Sequence, residues 1–172
     1  MTDNLTIKLK KGENNRKDLE EVYNRFYEKI YSFIFLKTQN ESKSEDLTGE
    51  VFIKFIDYVK EHDVDNVNAL LYKIARNLII DDVRKKKEDL IGDDALNTIT
   101  DNTENKLDLI SNEQLMEVIS SLTDDYRDVI VMYYINDMTI REIADVFNKT
   151  EGAIRTMLSR AIKALKKELK IA

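Results

Sequence analysis

The stretch TIREIADVFNKTEGAIRTMLSRAIKALKKEL, residues 139–169, decides how the rest of the chain is read. Thr139 with Glu142 three residues on is a capping-box pattern, in which hydroxyl and carboxylate each serve an orphan N–H at a helix start. The helix it opens carries Ile140, Ile143, Ala144 and Phe147. Asn148-Lys149-Thr150 breaks it, and Thr150 is placed to cap a longer helix from Glu151 to about Leu169. A short helix, a three-residue turn and a long helix have helix-turn-helix proportions. At roughly 100° per residue, Arg155, Thr156, Ser159, Arg160, Lys163, Lys166, Lys167 and Lys170 share an arc of about 140°. Ile154, Met157, Leu158, Ala161, Ile162, Leu165 and Leu169 fill the opposite arc. One face can pack on the preceding helices while the other offers cations to phosphates and base edges. Arg155, Thr156 and Ser159, nearest the helix start, are the side chains a major groove would receive. A lysine-rich face on its own is often plain solvated surface, and Lys166, Lys167 and Lys170 also fit that reading. The spacing is what turns the face toward DNA.

Upstream, the apolar residues again recur with helical spacing. A helix around Glu113 to Leu122 is followed by another beginning after Thr123, with Asp124 and Asp125 in its first turn and Val129, Ile130, Met132 and Tyr133 along it. Nearer the N-terminus, Leu19, Tyr23, Phe26, Ile30 and Phe33 mark one amphipathic helix. Ser42 with Glu45 reads as the capping box of a second, which would bury Leu47, Val51, Phe55 and Val59. A third runs from about Val67 to Lys87 on the stripe Val67, Leu71, Ile74 and Leu78. Its other side carries Lys73, Arg76, Asn77, Arg84 and Lys87, and the run Arg84-Lys85-Lys86-Lys87 ends it, where cations suit the helix dipole. Tyr58 and Tyr72 lie near this basic face; Tyr72 fits an aromatic core better than a stacking platform for bases.

Composition narrows the function. The 172 residues include no Cys, no Pro, four Gly and one His, with 35% charged side chains. Without Cys there is no disulfide framework, thiolate nucleophile or Cys-based zinc site, and the lone His62 cannot supply a His cluster or a His-based triad. No apolar run approaches a membrane span, and the start of the chain has no secretory signal, so a cytoplasmic protein is expected. The net charge of −6 is unevenly placed: Glu88 to Asp125 holds eleven acidic residues against Lys106, leaving the rest of the chain net basic. The expected fold is all-α: two small helical domains joined by an acidic flexible linker, the C-terminal one a helix-turn-helix. The expected boundaries are a disordered tail over 1–15, a helical domain over 16–88, the linker over 89–112 and the second domain over 113–172.

Particular residues then point to a family. SEDLTGEVFIKF, residues 44–55, resembles the second conserved region of bacterial sigma factors, and NALLYKIARNLIIDDVR, residues 68–84, looks like the promoter-melting and −10 reading helix that follows it. Leu122 to Leu169, with Tyr126-Arg127-Asp128-Val129 and Glu142-Ile143-Ala144, is similar to the fourth region, which reads the −35 element. A short chain with only these two regions resembles the extracytoplasmic function (ECF) group of the sigma-70 family. Three positions depart from its pattern: Gly49 stands where Gln is usual, Leu70 where Trp is usual, and Thr123 where Pro is usual.

The resemblance implies a sigma factor that directs core RNA polymerase to promoters and aids their melting. It implies that Asp46 and Glu50 help dock the polymerase clamp coiled coil, and that Lys73, Arg76, Asn77, Arg84 and Lys85 face the −10 element. Arg155, Thr156, Ser159, Arg160 and Lys163 would face the −35 element. The implied partners are core polymerase through its clamp coiled coil and flap, promoter DNA, and an anti-sigma factor, without membrane insertion, metal or cofactor. In the family the acidic linker threads the RNA exit channel; a solvated tether keeping two basic domains apart accounts for the same residues. The competing reading is a stand-alone helix-turn-helix regulator acting as a dimer, which needs an exposed apolar dimer face and a palindromic site. An enzyme built on Asp81 and Asp82 is disfavoured, because adjacent helix residues do not face each other.

Overall fold

Asn40, not Ser42, begins the second helix. In the computed structural model, which describes residues 7–12, 16–89 and 113–169, Gln39 adopts a left-handed φ of 49° and turns the chain. The Asn40 side chain then accepts the Lys43 N–H at 2.9 Å. Ser42 lies within the first turn of α2, past the cap, so its spacing to Glu45 is incidental. The first domain comprises α1 (Arg16–Thr38), α2 (Glu41–Glu61) and α3 (Val67–Asp89). Val22, Phe26, Ile30, Phe33 and Ile34 of α1 meet Leu47, Val51, Phe55 and Val59 of α2 and Val67, Leu71, Tyr72, Ala75 and Leu78 of α3 in one buried core. Tyr23, read as core, is 45% exposed, and its ring packs on Phe52. Tyr72 is fully buried against Phe33, as an aromatic core residue should be.

Part of the tail read as disordered is ordered. Leu9 exchanges two backbone hydrogen bonds with Val64 in the α2–α3 turn, of 2.9 and 2.7 Å, and its side chain is buried. The Lys11 N–H adds a 2.7 Å bond to the Asp63 carboxylate. This isolated bridge is the only β-type pairing among the described residues. One apolar side chain at the right distance from a turn suffices to tie down such a segment, and it leaves no periodic signal. The expected linker falls almost entirely on residues 90–112, outside those described.

The second domain comprises α4 (Glu113–Ser121), α5 (Asp124–Ile130), a π-helical turn (Val131–Ile135), α6 (Ile140–Phe147) and α7 (Glu151–Glu168). The π turn replaces the continuous helix expected through Tyr133. The Asn136 N–H reaches the Val131 carbonyl, and the Met138 N–H bonds the Met132 carbonyl at 2.9 Å, which delivers buried Met138 to the core. Helices α6 and α7 form the expected helix-turn-helix. Glu142 accepts the Thr139 N–H at 2.8 Å while the Thr139 hydroxyl accepts the Glu142 N–H at 3.1 Å, a complete capping box. Asn148 takes the left-handed conformation at the end of α6, and Thr150 accepts the Ala153 N–H to start α7.

Candidate nucleic-acid and polymerase interfaces

Helix α7 owes its orientation to Ile154, Leu158 and Ala161, which are buried against α5 and α6. That packing leaves Arg155, Thr156, Ser159, Arg160 and Lys163 exposed, all five on the face the sequence assigns to DNA. Glu151 holds the Arg155 guanidinium at 3.2 Å, an exposed pair of adjacent turns that a phosphate or base could displace. The Thr156 hydroxyl donates to the Gly152 carbonyl at 3.1 Å, which fixes its rotamer. Lys166 and Lys167 continue the exposed face, and Lys170 falls outside the described residues.

On α3, Lys73, Asn77 and Arg84 are exposed along one stripe. Lys85 is exposed as well, roughly a third of a turn away. The sequence reading missed Ile80, 46% exposed in the middle of that stripe. An apolar side chain flanked by an amide and cations suits the face of an unstacked base, and the helical phase of Ile80, opposite the stripe of Val67, Leu71, Ile74 and Leu78, was the available signal.

Arg76 is the exception. Its side chain is 17% exposed and turned toward the second domain, where it meets Asp125 at 2.6 Å and Asp128 at 3.2 Å. Its guanidinium also lies over the Phe147 ring, 4.3 Å from the centroid. From α1, Lys37 reaches the same carboxylate: its ammonium sits 2.8 Å from both Asp128 oxygens, the hydrogen bond directed at Oδ2 and Oδ1 held by charge alone. Asp128 is 1% exposed. Burial pushes its carboxyl upward, opposed by Lys37 and Arg76. Also between the two domains, the Asn66 side chain donates to Glu142 Oε1 at 3.0 Å while its own Oδ1 accepts the Ala69 N–H and starts α3. Lys37 and Asn66 were not singled out from sequence, Asp125 was read only as a first-turn acid, and Asp128 only as part of the resemblance to the fourth region. A carboxylate directly before Val129-Ile130-Val131-Met132 was the available signal, since a charge on a buried helical face requires a partner.

Asp46, Gly49, Glu50 and Ile53 lie at successive turns on one outer face of α2. Asp46 and Glu50 are exposed, and Ile53 is 62% exposed beside them. A Cβ built at Gly49 would meet nothing within 4 Å. Beneath this face, Thr48 and Ser44 are buried, each hydroxyl bonding a carbonyl one turn back at 2.6 Å.

Two helical domains, one ending in a helix-turn-helix with an exposed cationic face and the other presenting a basic helix and an acidic outer face, have the architecture of a DNA-binding protein. The second domain matches the model of sigma-70 region 4 over residues 112–165, and the first matches sigma-70 region 2 over residues 22–88. The ECF RNA polymerase sigma factor SigW of Bacillus subtilis is 30% identical, with 94% of this chain and 93% of that protein covered. SigM of the same organism, also an ECF sigma factor, is 29% identical over 86% of this chain and 93% of its own length. The chain belongs to the ECF sigma factors of the sigma-70 family, and it is an RNA polymerase sigma factor. Two solved structures share its fold across both domains. One is the sigma factor RpoE in complex with the anti-sigma factor NepR from Bartonella quintana (TM-score 0.73, 19% identity, covering 90% of this chain and 98% of that one). The other is CnrH in complex with the cytosolic domain of CnrY (TM-score 0.66, 17% identity, covering 91% and 90%). Nothing favours the dimeric regulator. Among the described residues no helix is long and apolar enough to cross a membrane.

Proposed function

We propose that this sigma factor divides promoter reading between its two basic helices and performs no chemistry of its own. In this reading α7 enters the major groove of the −35 element through Arg155, Thr156 and Ser159, with Arg160 and Lys163 on flanking phosphates. Helix α3 engages the −10 element through Lys73, Asn77, Arg84 and Lys85, joined by Arg76 once the Asp125 and Asp128 carboxylates release it. Asp46 and Glu50 on α2 dock the polymerase clamp coiled coil, and the second domain meets the flap. The factor acts in the cytoplasm, where polymerase and promoter DNA are. An anti-sigma protein is its regulator, a reading supported by the two fold relatives solved with such partners.

The observation that carries the division of labour is the exposed cationic face of α7 behind a complete capping box. The test is promoter-dependent transcription with bacterial core polymerase from a randomised promoter library. Transcripts should share a two-part asymmetric motif. Arg155→Ala should relax base preference in the upstream part, at a cost of about 1–3 kcal/mol for the base it reads. A uniform loss of binding on every sequence would return Arg155 to a phosphate-contacting role.

A further inference from the structure

The turn that leads into α3 is held by a distant part of the chain. Val64, in the middle of residues 62–66, is buried. A buried peptide group needs a partner, and both of those on Val64 are committed to Leu9. The Val64 N–H donates to the Leu9 carbonyl at 2.7 Å, and the Leu9 N–H donates to the Val64 carbonyl at 2.9 Å. To one side, the Val67 N–H, an orphan donor at the start of α3, reaches the Ile7 carbonyl at 3.4 Å. To the other, the Lys11 N–H donates to the Asp63 carboxylate at 2.7 Å. Gly12 ends the segment in a turn with a left-handed φ of 69°, which glycine adopts without strain. The core of the first domain is closed by α1, α2 and α3, and of residues 7–11 only Leu9 is buried. What this strap governs is the turn and the first residue of α3.

Its charges match those it covers. The bridge is antiparallel, so Lys8-Leu9-Lys10 runs against Asp63-Val64-Asp65, with Lys8 across from Asp65 and Lys10 across from Asp63. All four charged residues are exposed, and Lys11 adds a 3.7 Å ion pair with Glu61. Asp63 and Asp65 line the same cleft as Lys73, the first cation of the α3 stripe. Uncovered, the two carboxylates would repel a phosphate approaching Lys73; with the strap in place the turn is close to neutral. Resting on the assignment of α3 to the −10 element, we infer that residues 7–11 are a positioning strap for promoter opening. The strap fixes the entry to α3 and offsets the acidic turn, so that Lys73 and Asn77 meet the −10 strand in one set orientation.

The test uses the full-length chain bound to core polymerase. Leu9→Asp sets a third carboxylate between Asp63 and Asp65 and should release the strap, which faster hydrogen exchange at the Val64 and Val67 amides of the free factor would register. Leu9→Val keeps an apolar side chain there and serves as the conservative control. Strand opening is followed by 2-aminopurine fluorescence in the −10 element, and base preference by transcription from a randomised promoter library. Leu9→Asp should slow opening by roughly tenfold, the order of one lost base contact, and relax preference in the downstream part of the motif. Upstream preference and affinity for core polymerase should stay as in the parent, and Leu9→Val should restore both readouts. Faster amide exchange with unchanged opening and preference would reduce the strap to a structural brace and overturn the proposal. A loss spread evenly over both promoter elements and polymerase binding would overturn it too. Should Leu9→Asp fail to fold, Lys8→Glu combined with Lys10→Glu decides: opening should slow severalfold at about 50 mM salt, where screening is weak, and unchanged opening sinks the idea. Lys73→Ala combined with Asn77→Ala separates this claim from the one it rests on. If that pair leaves the downstream preference intact, the assignment of α3 falls; if it relaxes the preference and Leu9→Asp does not, only the strap falls.

Discussion

Tyr72 shows how far a single side chain follows from its neighbours. Its ring is fully buried at the centre of the first domain, edge-on to Phe33 with centroids 5.3 Å apart. The phenol oxygen meets no hydrogen-bond partner among the described residues, and burial drives its pKa far above the ordinary range. A buried hydroxyl without a partner costs about 1–3 kcal/mol in lost hydration, while the ring repays that through packing. Tyr72→Phe keeps the ring and removes the oxygen. Thermal unfolding should therefore show stability unchanged or raised by up to about 1 kcal/mol, which is about 2–4 °C in a chain of this size. A loss of more than about 1 kcal/mol would mean that the hydroxyl is bonded after all. As a large aromatic it was read as core from sequence, and it is buried on the side of α3 that it shares with Ala75 and Ile79. The fate of Arg76 four residues on was not legible there. Its helical phase places it at the margin of the basic face, and only the arrival of Asp125 and Asp128 from a distant helix turns it inward.

At the scale of elements, α2 carries a glycine that its own fold does not require. Gly49 is mid-helix, its φ is not left-handed, and a Cβ there would meet nothing within 4 Å. Mid-helix glycine costs about 1 kcal/mol relative to alanine. Gly49→Ala should raise the melting temperature by about 2–4 °C, and no change or a fall would reveal a crowding that the backbone geometry hides. Gly49→Gln, restoring the side chain usual in the family, should keep most of that gain. If Asp46 and Glu50 flank a docking site, it should also tighten binding to core polymerase, measured by competition with the parent factor. Elements whose ends are set by local chemistry were legible: Thr139 with Glu142 opens α6, and Thr150 opens α7, as their spacing demands. Elements set by distant contacts were not. Ser42 and Glu45 have the same spacing as a true capping box, yet Gln39 and Asn40 start α2 because the turn from α1 places the cap there. The π turn at Val131–Ile135 and the pairing of Leu9 with Val64 likewise answer to tertiary needs, delivering Met138 and bracing the α2–α3 turn, that no local pattern encodes.

For the molecule as a whole, charge distribution carries what net charge conceals. Outside the segment from Glu88 to Asp125 the chain is net basic, and that basic surface includes helices α3 and α7. The segment itself holds eleven carboxylates and one lysine. Any placement of it within a Debye length of those helices, about 10 Å at 0.1 M salt, lowers the local attraction for phosphate. The cost should be electrostatic and nonspecific, so added salt should remove it. Neutralising Asp93, Asp94, Asp101 and Asp108 to Asn should raise polymerase-free DNA affinity severalfold at about 50 mM salt and have little effect near 0.5 M, where the screening length is only a few ångströms. Titrations of the parent and the variant at both salts check this directly. If the acidic variant gains as much at high salt as at low, the segment acts through a specific contact rather than through its charge, and the tether reading fails. If it gains nothing at low salt, the segment lies too far from both basic helices to restrain them.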